Sequence, residues 1–127
     1  MIKELVLKNR SYRRFYQDFA ISKELLGELV NLARLCPSAK NLQPLRYILS
    51  STPEKNEAIF PYLAWAGYFK DWQGPEEGER PSAYIIVLRD TGINPYFTED
   101  IGIAAQSIML GVAERDLGGC IVASINK

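Results

Sequence analysis

The sequence contains no histidine, and this absence excludes several kinds of chemistry. Without an imidazole, a Ser–His or Cys–His nucleophile cannot be assembled. The two cysteines, Cys36 and Cys120, are far apart and lie among apolar residues, so we expect reduced thiols and no transition-metal site. The acidic pair Glu99-Asp100 is better explained by the start of a helix than by general acid–base catalysis. No side chain is therefore predicted to be catalytic.

Phosphate-binding glycine loops and long apolar runs are missing as well. Neither G-x-G-x-x-G after a strand nor G-x-x-x-x-G-K-[ST] occurs, and no run approaches the roughly 20 apolar residues of a membrane span. The N-terminus lacks the apolar region and cleavage site of a signal peptide. Since 15 basic and 15 acidic side chains cancel, net charge does not favour nucleic acid. We expect a cytoplasmic protein with no nucleic-acid or membrane partner.

The 127 residues suit one domain, 1–127, with mixed secondary structure. Caps and apolar spacing predict four helices, which begin at residue 2 and after Ser22, Thr52 and Thr98. Apolar runs predict three strands: Tyr47–Leu49, Ala83–Leu88 and Cys120–Ala123. This order favours an α+β or three-layer α/β domain. Because such a sheet is thin, we expect an incomplete domain, a dimer that shares its core, or both.

Aromatic residues are concentrated between Pro61 and the Gly/Pro-rich loop 74–81. They repeat at helical spacing: Tyr62, Trp65, Tyr68, Phe69 and Trp72. A stripe of this kind is more often part of a core or a subunit interface than a ligand platform. The pattern leaves open whether this segment is a lid or a dimer contact.

A cluster of cations, Arg10-Ser11-Tyr12-Arg13-Arg14-Phe15, follows the first helix. The planar guanidinium suits phosphate, and a serine adds a hydroxyl and a backbone N–H. A short charge run is also typical of a solvated surface, so both interpretations stand on this segment alone. The other polar features are a loop framed by Pro37 and Pro44 and a helix rich in small residues. Together they suit a cofactor that supplies its own chemistry.

Three blocks of the sequence together resemble the nitroreductase family of flavoproteins. They are Arg10-Ser11-x-Arg13-x-Phe15, Pro37-Ser38-x-x-Asn41-x-Gln43-Pro44, and Asp100-x-Gly102-x-Ala104-x-x-x-x-Met109-Leu110 running into Leu117-Gly118-Gly119-Cys120. The blocks come in the family's order and cover nearly the whole chain. The resemblance implies a three-layer α+β fold, with a mostly antiparallel central sheet flanked by helices, and a homodimer with FMN at each end of the subunit interface.

The resemblance also implies which residues bind FMN. Arg10, Ser11 and Arg13 would hold the phosphate and ribityl chain, although Asn9 stands where many relatives have the first arginine. The proline-framed loop would come from the other subunit and contribute Ser38, Ala39, Asn41 and Gln43. The segment after the long helix would lay its backbone against the isoalloxazine ring at Ala123, Ser124 and Ile125.

The implied reaction is a ping-pong oxidoreduction. NAD(P)H gives a hydride to flavin N5 and leaves, and a nitroaromatic, quinone or similar acceptor takes its place; the acceptor and the choice of NADH or NADPH stay open. Family members continue past the position of Lys127, so weaker flavin binding than in full-length relatives is expected. A flavin-binding or inactive dimeric remnant is the main alternative. A flavin-fragmenting or dehalogenating relative and a nucleic-acid binder are the others.

Overall fold

The computed structural model of the protein describes residues 1–126. These residues form four α-helices and two β-strands: α1 (Ile2–Lys8), α2 (Lys23–Arg34), β1 (Leu45–Ser50), α3 (Pro53–Ile59), β2 (Tyr84–Arg89) and α4 (Glu99–Glu114). Short 3-10 turns cover Ala39–Asn41 and Phe60–Tyr62. The order is that of an α+β chain, as predicted.

Two of the three predicted helix caps are formed. Ser22 Oγ accepts the N–H of Leu25 at 3.1 Å, and Thr52 Oγ1 accepts the N–H of Lys55 at 3.4 Å. The predicted Thr98 cap is wrong, because this residue has helical backbone (φ −101°, ψ −7°) and its side chain makes no capping bond. A capping side chain reaches the first turn from extended backbone, which Thr98 does not have.

The sheet has two antiparallel strands, with Ile48 of β1 opposite Ile86 of β2. Because side chains alternate between faces, Leu45, Tyr47 and Ile85 point to the same side and pack on the core. On the other face Ile48 and Leu88 are exposed. Thus α2 and α4 cover one face of this sheet, whereas on the other face Ser50, at the end of β1, is buried against Asn56 of α3.

The core lies where α2 crosses α4. Leu29 and Ala33 of α2 pack against Ala104 and Ile108 of α4, and all four are buried. The small residues of α4 allow this close approach, since a Cβ added at Gly111 would lie 2.9 Å from Leu32 Cδ2. The small-residue stripe of α4 therefore accommodates a helix.

The predicted strand Cys120–Ala123 is wrong as a regular strand. Only isolated bridges surround it, a parallel one between Ser11 and Gly119 and an antiparallel one between Leu63 and Ile125. The chain thus runs extended from one partner segment to another, and neither segment stays alongside it for long enough to build a ladder. Strand formation depends on such partners as much as on local propensity.

The aromatic segment is not helical beyond Tyr62. Turns follow one another instead, with Phe69 N–H donating to the Ala66 carbonyl at 2.7 Å and Trp72 N–H to the Phe69 carbonyl at 3.2 Å. As a result the aromatic residues do not share one face: Trp65 is buried, whereas Tyr68 is 93% exposed. The spacing that suggested a single stripe is therefore misleading.

Two further findings concern residues 1–126. None of the helices in this range is long and apolar enough to cross a membrane. No three His, Cys, Asp or Glu side chains in it are grouped so that they could hold a metal ion. Cys36 and Cys120 are both free thiols, as expected.

Candidate functional site

The arginine segment, which we define as Arg10–Phe15, lies against the turn that follows α4. Tyr12 N–H donates to the Gly119 carbonyl at 3.0 Å, and Ser11 forms its bridge with the same glycine. The absence of a side chain at Gly118 makes this contact possible, since a Cβ there would lie 2.8 Å from Tyr12 Cδ2. The segment is thereby held at the C-terminal end of α4.

The arginines of this segment differ in what they contact. Arg10 turns back, and its guanidinium donates to the carbonyls of Asn9 at 2.8 Å and Val6 at 3.3 Å. The Asn9 amide donates to Gln106 Oε1 at 3.5 Å. Arg13 stays beside Ser11, donating to its carbonyl at 3.5 Å. Of the predicted phosphate ligands, Ser11 and Arg13 are therefore the pair that the structure brings together.

The Cys120 thiol lies against this pair. Burial raises the pKa of the thiol, whereas the nearby Arg13 guanidinium and the Ser11 side chain act in the opposite direction and lower the pKa. The raised pKa keeps the thiol in its neutral form at neutral pH. The Arg13 charge is therefore not neutralised by a thiolate.

Beside the arginine segment lies an open groove of about 890 Å³. Ser11, Tyr12, Arg13 and Arg14 form one wall, and residues 68–72 form the other. The lining includes three basic side chains and one acidic one, although the whole chain is neutral. The groove therefore offers a local positive potential between a hydroxyl-bearing wall and an aromatic wall.

The proline-framed loop lies at the other end of α4. Ala39 N–H donates to Asp100 Oδ1 at 3.0 Å, Gln43 N–H donates to Ser38 Oγ at 3.0 Å, and the Gln43 amide donates to Asn41 Oδ1 at 2.9 Å. Three residues of the loop have left-handed backbone: Lys40 (φ 51°), Asn41 (φ 55°) and Gln43 (φ 52°). The hydrogen bonds hold a conformation that non-glycine residues seldom adopt.

The two predicted parts of the site are thus separated by the length of α4. That helix has 16 residues, and at about 1.5 Å of rise per residue it is roughly 24 Å long. Ser11 contacts Gly119 beyond its C-terminal end, and Ala39 contacts Asp100 in its first turn. Within one subunit, the Ser38–Gln43 loop and the arginine segment do not meet.

The third predicted part, Ala123–Ile125, is on the same side as the arginine segment. It leaves Gly119 in extended form and pairs with the residues before Trp65, where Ala64 N–H donates to the Ser124 carbonyl at 2.9 Å. Neither the N–H of Ser124 nor that of Ile125 has an acceptor within residues 1–126. The Ser124 N–H points toward Ala64, as its carbonyl does, whereas the Ile125 N–H points away from this paired segment. Of the two, the Ile125 N–H is the one directed where a ligand can accept it.

Some features of the site escaped the sequence analysis. Asp100 was interpreted as a helix-start residue, yet it is only 3% exposed and binds the proline-framed loop. Its Oδ2 has no hydrogen-bond partner in the described residues. Arg14 was singled out only as part of the cation cluster, and the aromatic segment was left open as a lid or a dimer contact, so neither was assigned to the site. No local pattern separates a buried helix-start carboxylate from an exposed one, so only the structure could identify it.

The fold and the site define an α+β protein with a two-helix layer on an antiparallel sheet and a cationic groove beside a glycine turn. The family model of the nitroreductase family matches residues 6–127, and the chain belongs to that family. This confirms the resemblance found in the sequence. It also assigns the α+β arrangement to the nitroreductase fold.

Relatives and solved structures support the same assignment. The NAD(P)H nitroreductase YdgI of Bacillus subtilis (strain 168), so named, is 25% identical over 122 residues, which are 96% of this chain and 53% of the relative. An NADH dehydrogenase/NAD(P)H nitroreductase, so named, of Methanothermobacter thermautotrophicus is 28% identical over 120 residues, 92% of this chain and 58% of the relative. The chain therefore spans little more than half the length of these curated relatives.

Among solved structures, a nitroreductase family protein from Clostridium novyi NT has a TM-score of 0.79 at 21% identity, covering 100% of this chain and 72% of that chain. A nitroreductase from Desulfovibrio desulfuricans, solved in complex with FMN, has a TM-score of 0.70 at 21% identity, covering 92% of this chain and 64% of that chain. These likenesses show the fold.

Proposed function

We propose that this chain belongs to an FMN-dependent oxidoreductase, in which NAD(P)H gives a hydride to flavin N5 and a nitroaromatic, quinone or similar acceptor then takes the electrons. Membership of the nitroreductase family supports the proposal, as do the FMN complex of the Desulfovibrio relative and the names of the curated relatives. The protein supplies anchoring and hydrogen bonds, since FMN itself provides the redox chemistry. This agrees with a sequence that lacks a histidine nucleophile or base.

The observation that carries the proposal is the position of Ser11 and Arg13 on the wall of the cationic groove. A hydroxyl and a guanidinium side by side fit a phosphate monoester, because both donate charge-assisted hydrogen bonds to its oxygens. The groove volume of about 890 Å³ leaves room for the phosphate and ribityl chain. Arg10, whose guanidinium is directed at the end of α1, would join the phosphate only after a rotamer change.

A complete site would need two copies of the chain. Because Ser38, Ala39, Asn41 and Gln43 lie at the far end of α4, they would reach the flavin only from a partner subunit. Ala123, Ser124 and Ile125 would then contact the ring from the same subunit as Ser11, and the N–H of Ile125, which points away from Leu63, suits a ring acceptor. A homodimer with FMN between the subunits satisfies both conditions.

The direct test is the visible absorbance spectrum of the purified chain, before and after anaerobic addition of NADH or NADPH. We expect a flavin band that bleaches with the reductant. A band that persists with both reductants would leave the flavin-binding remnant without turnover. A colourless protein that FMN does not reconstitute would overturn the proposal.

The phosphate ligands are tested by the double variant Ser11→Ala/Arg13→Ala. Each charge-assisted contact contributes about 1.5–3 kcal/mol, and 1.4 kcal/mol is tenfold in affinity, so the loss of both contacts should weaken FMN binding about a hundredfold or more. Arg34→Ala is the matched control, since Arg34 is exposed at the end of α2 and, within residues 1–126, its side chain bonds only to Asn31, at 2.9 Å. Equal FMN retention in the double variant and the control would mean that the phosphate lies elsewhere.

A further inference from the structure

The aromatic wall of the groove consists of Tyr68, Phe69 and Trp72. Tyr68 and Phe69 meet edge to face at 5.9 Å with an interplanar angle of 85°, yet they are 93% and 62% exposed. Aromatic side chains that meet each other but remain in water keep a large apolar surface available. Such a wall is suited to stacking with a planar ring.

Arg14 faces this wall and is weakly engaged. Its Cζ lies 5.7 Å from the centroid of the Trp72 ring, and its single ion pair joins Nε to Glu79 at 3.7 Å. Within residues 1–126 its guanidinium makes no hydrogen bond of normal length, so its terminal nitrogens can serve an incoming anion. Lys70 adds a second cation to the same wall as Tyr68.

These cations are additional to the pair assigned to the flavin phosphate. If Ser11 and Arg13 hold that phosphate, Arg14 and Lys70 are the remaining cations of the groove. The lining holds one acidic side chain, Asp71, and the Glu79 carboxylate contacts Arg14 only through Nε in an exposed ion pair of 3.7 Å. The remaining part of the groove therefore combines a positive charge with an aromatic surface. A neutral ring would contact only the aromatic surface, and a simple anion would contact only the cations.

We propose that the part of the groove between Arg14 and Tyr68 binds a planar aromatic ring that carries an anionic group. The inference rests on the proposed function, because that function supplies the ligands that would bind here during turnover. Two ligands of that function have this chemistry: an aromatic electron acceptor with a carboxylate, and the 2′-phosphoadenosine end of NADPH. The first would make the groove a determinant of acceptor specificity, and the second would make it a determinant of NADPH preference.

Isothermal titration calorimetry of the purified chain, with and without FMN, tests the proposal. The probes are two pairs that differ in charge: 4-nitrobenzoate against 4-nitrobenzamide, and 2′-phosphoadenosine against adenosine. We expect one anionic probe to bind about two- to fivefold tighter than its neutral partner, as a single partly exposed charge contact of up to about 1 kcal/mol allows. Added salt should reduce this preference, because the groove is open to solvent. The favoured pair identifies which ligand the groove serves.

Two variants separate charge from stacking. Arg14→Gln should abolish the preference for the anion and leave binding of the neutral probe unchanged. Tyr68→Ala should weaken both members of the favoured pair. Arg34→Gln, which removes an exposed arginine outside the groove, should behave as the wild type.

The proposal is overturned if each anionic probe binds no better than its neutral partner, or if Arg14→Gln keeps the preference. Failure of the proposed function would give a different result, namely no FMN uptake or no turnover. Calorimetry on such a chain would still show whether the groove prefers the anionic probe. In an active preparation, Arg14→Gln should raise the KM for the favoured ligand with little change in kcat.

Discussion

Asp100 is the residue on which the shape of the proline-framed loop depends, and its removal should loosen that loop. The variant Asp100→Ala deletes the acceptor of the Ala39 N–H. Nothing else in the described residues accepts that N–H, and the loop behind it contains the left-handed residues Lys40 and Asn41. The strain of those residues then favours relaxation to ordinary backbone.

The magnitude follows from the kind of bond that is lost. A hydrogen bond to a charged group contributes about 1.5–3 kcal/mol, so the open form of the loop should gain about ten- to a hundredfold in population. The unpartnered Oδ2 of Asp100 reduces this effect, since deletion also removes a buried oxygen that lacks a hydrogen bond. Asp100→Asn keeps a neutral acceptor worth about 0.5–1.5 kcal/mol and should be intermediate.

Limited trypsin digestion measures the loop directly. Lys40 is exposed and lies in the strained turn, so cleavage after it reports how often the loop opens. FMN titration measures the consequence, because the same loop is proposed to contact the flavin of the partner subunit. Glu99→Gln is the control, since Glu99 is an exposed carboxylate in the same helical turn and shares the interaction with the helix dipole.

We expect the order wild type, Asp100→Asn, Asp100→Ala for both cleavage rate and FMN dissociation, with Glu99→Gln close to the wild type. If Asp100→Ala changes neither quantity by more than about twofold, which is the range of ordinary surface substitutions, the loop does not depend on this carboxylate. Faster cleavage with unchanged FMN affinity would separate the two claims: Asp100 would hold the loop, and the loop would not hold the flavin.

Two other predictions use a packing contact and a buried phenol. Gly118→Ala places a Cβ 2.8 Å from the Tyr12 ring and should lower the free energy of unfolding in urea by about 1–3 kcal/mol. The control Gly102→Ala, whose Cβ meets nothing within 4 Å, should be neutral or slightly stabilising. Equal stabilities of the two variants would show that the Tyr12 contact is unimportant. Burial raises the pKa of Tyr84 to about 12, with Arg80 acting against it, so the contribution of the neutral phenol to stability is complete below pH 10 and is lost as the pH rises through 12. The urea midpoint should therefore fall between pH 9 and pH 11.5 by more in the wild type than in Tyr84→Phe.

The sequence predicted correctly the elements that depend on residues close to each other in the chain. Ser22 and Thr52 act within three residues of the N–H groups that they cap, and β1 and β2 are apolar runs. These signals depend on neighbours in the chain, so they can be interpreted without knowledge of the fold.

The features that could not be predicted join distant parts of the chain. Asp100 binds Ala39, 61 positions earlier, and the residues that flank Cys120–Ala123, Gly119 and Ile125, bridge to two separate partners, so no continuous strand forms between them. The aromatic spacing was misleading for a related reason, because Trp65 packs against Gly74, nine positions later, where an added Cβ would meet the indole at 2.8 Å, and local spacing does not encode such a contact. The family resemblance named candidate residues in both halves of the site, but the length of α4 between them emerged only from the structure.

The placement of those two halves at opposite ends of α4 has a consequence for how cofactor and quaternary structure depend on each other. In the proposed dimer, each flavin is held by two chains at once, so FMN binding and subunit association are thermodynamically linked. Excess FMN should shift the monomer–dimer equilibrium toward dimer, and dilution of the protein should release flavin even when free FMN is kept constant. Flavin occupancy would then report the concentration of the chain as well as that of the cofactor.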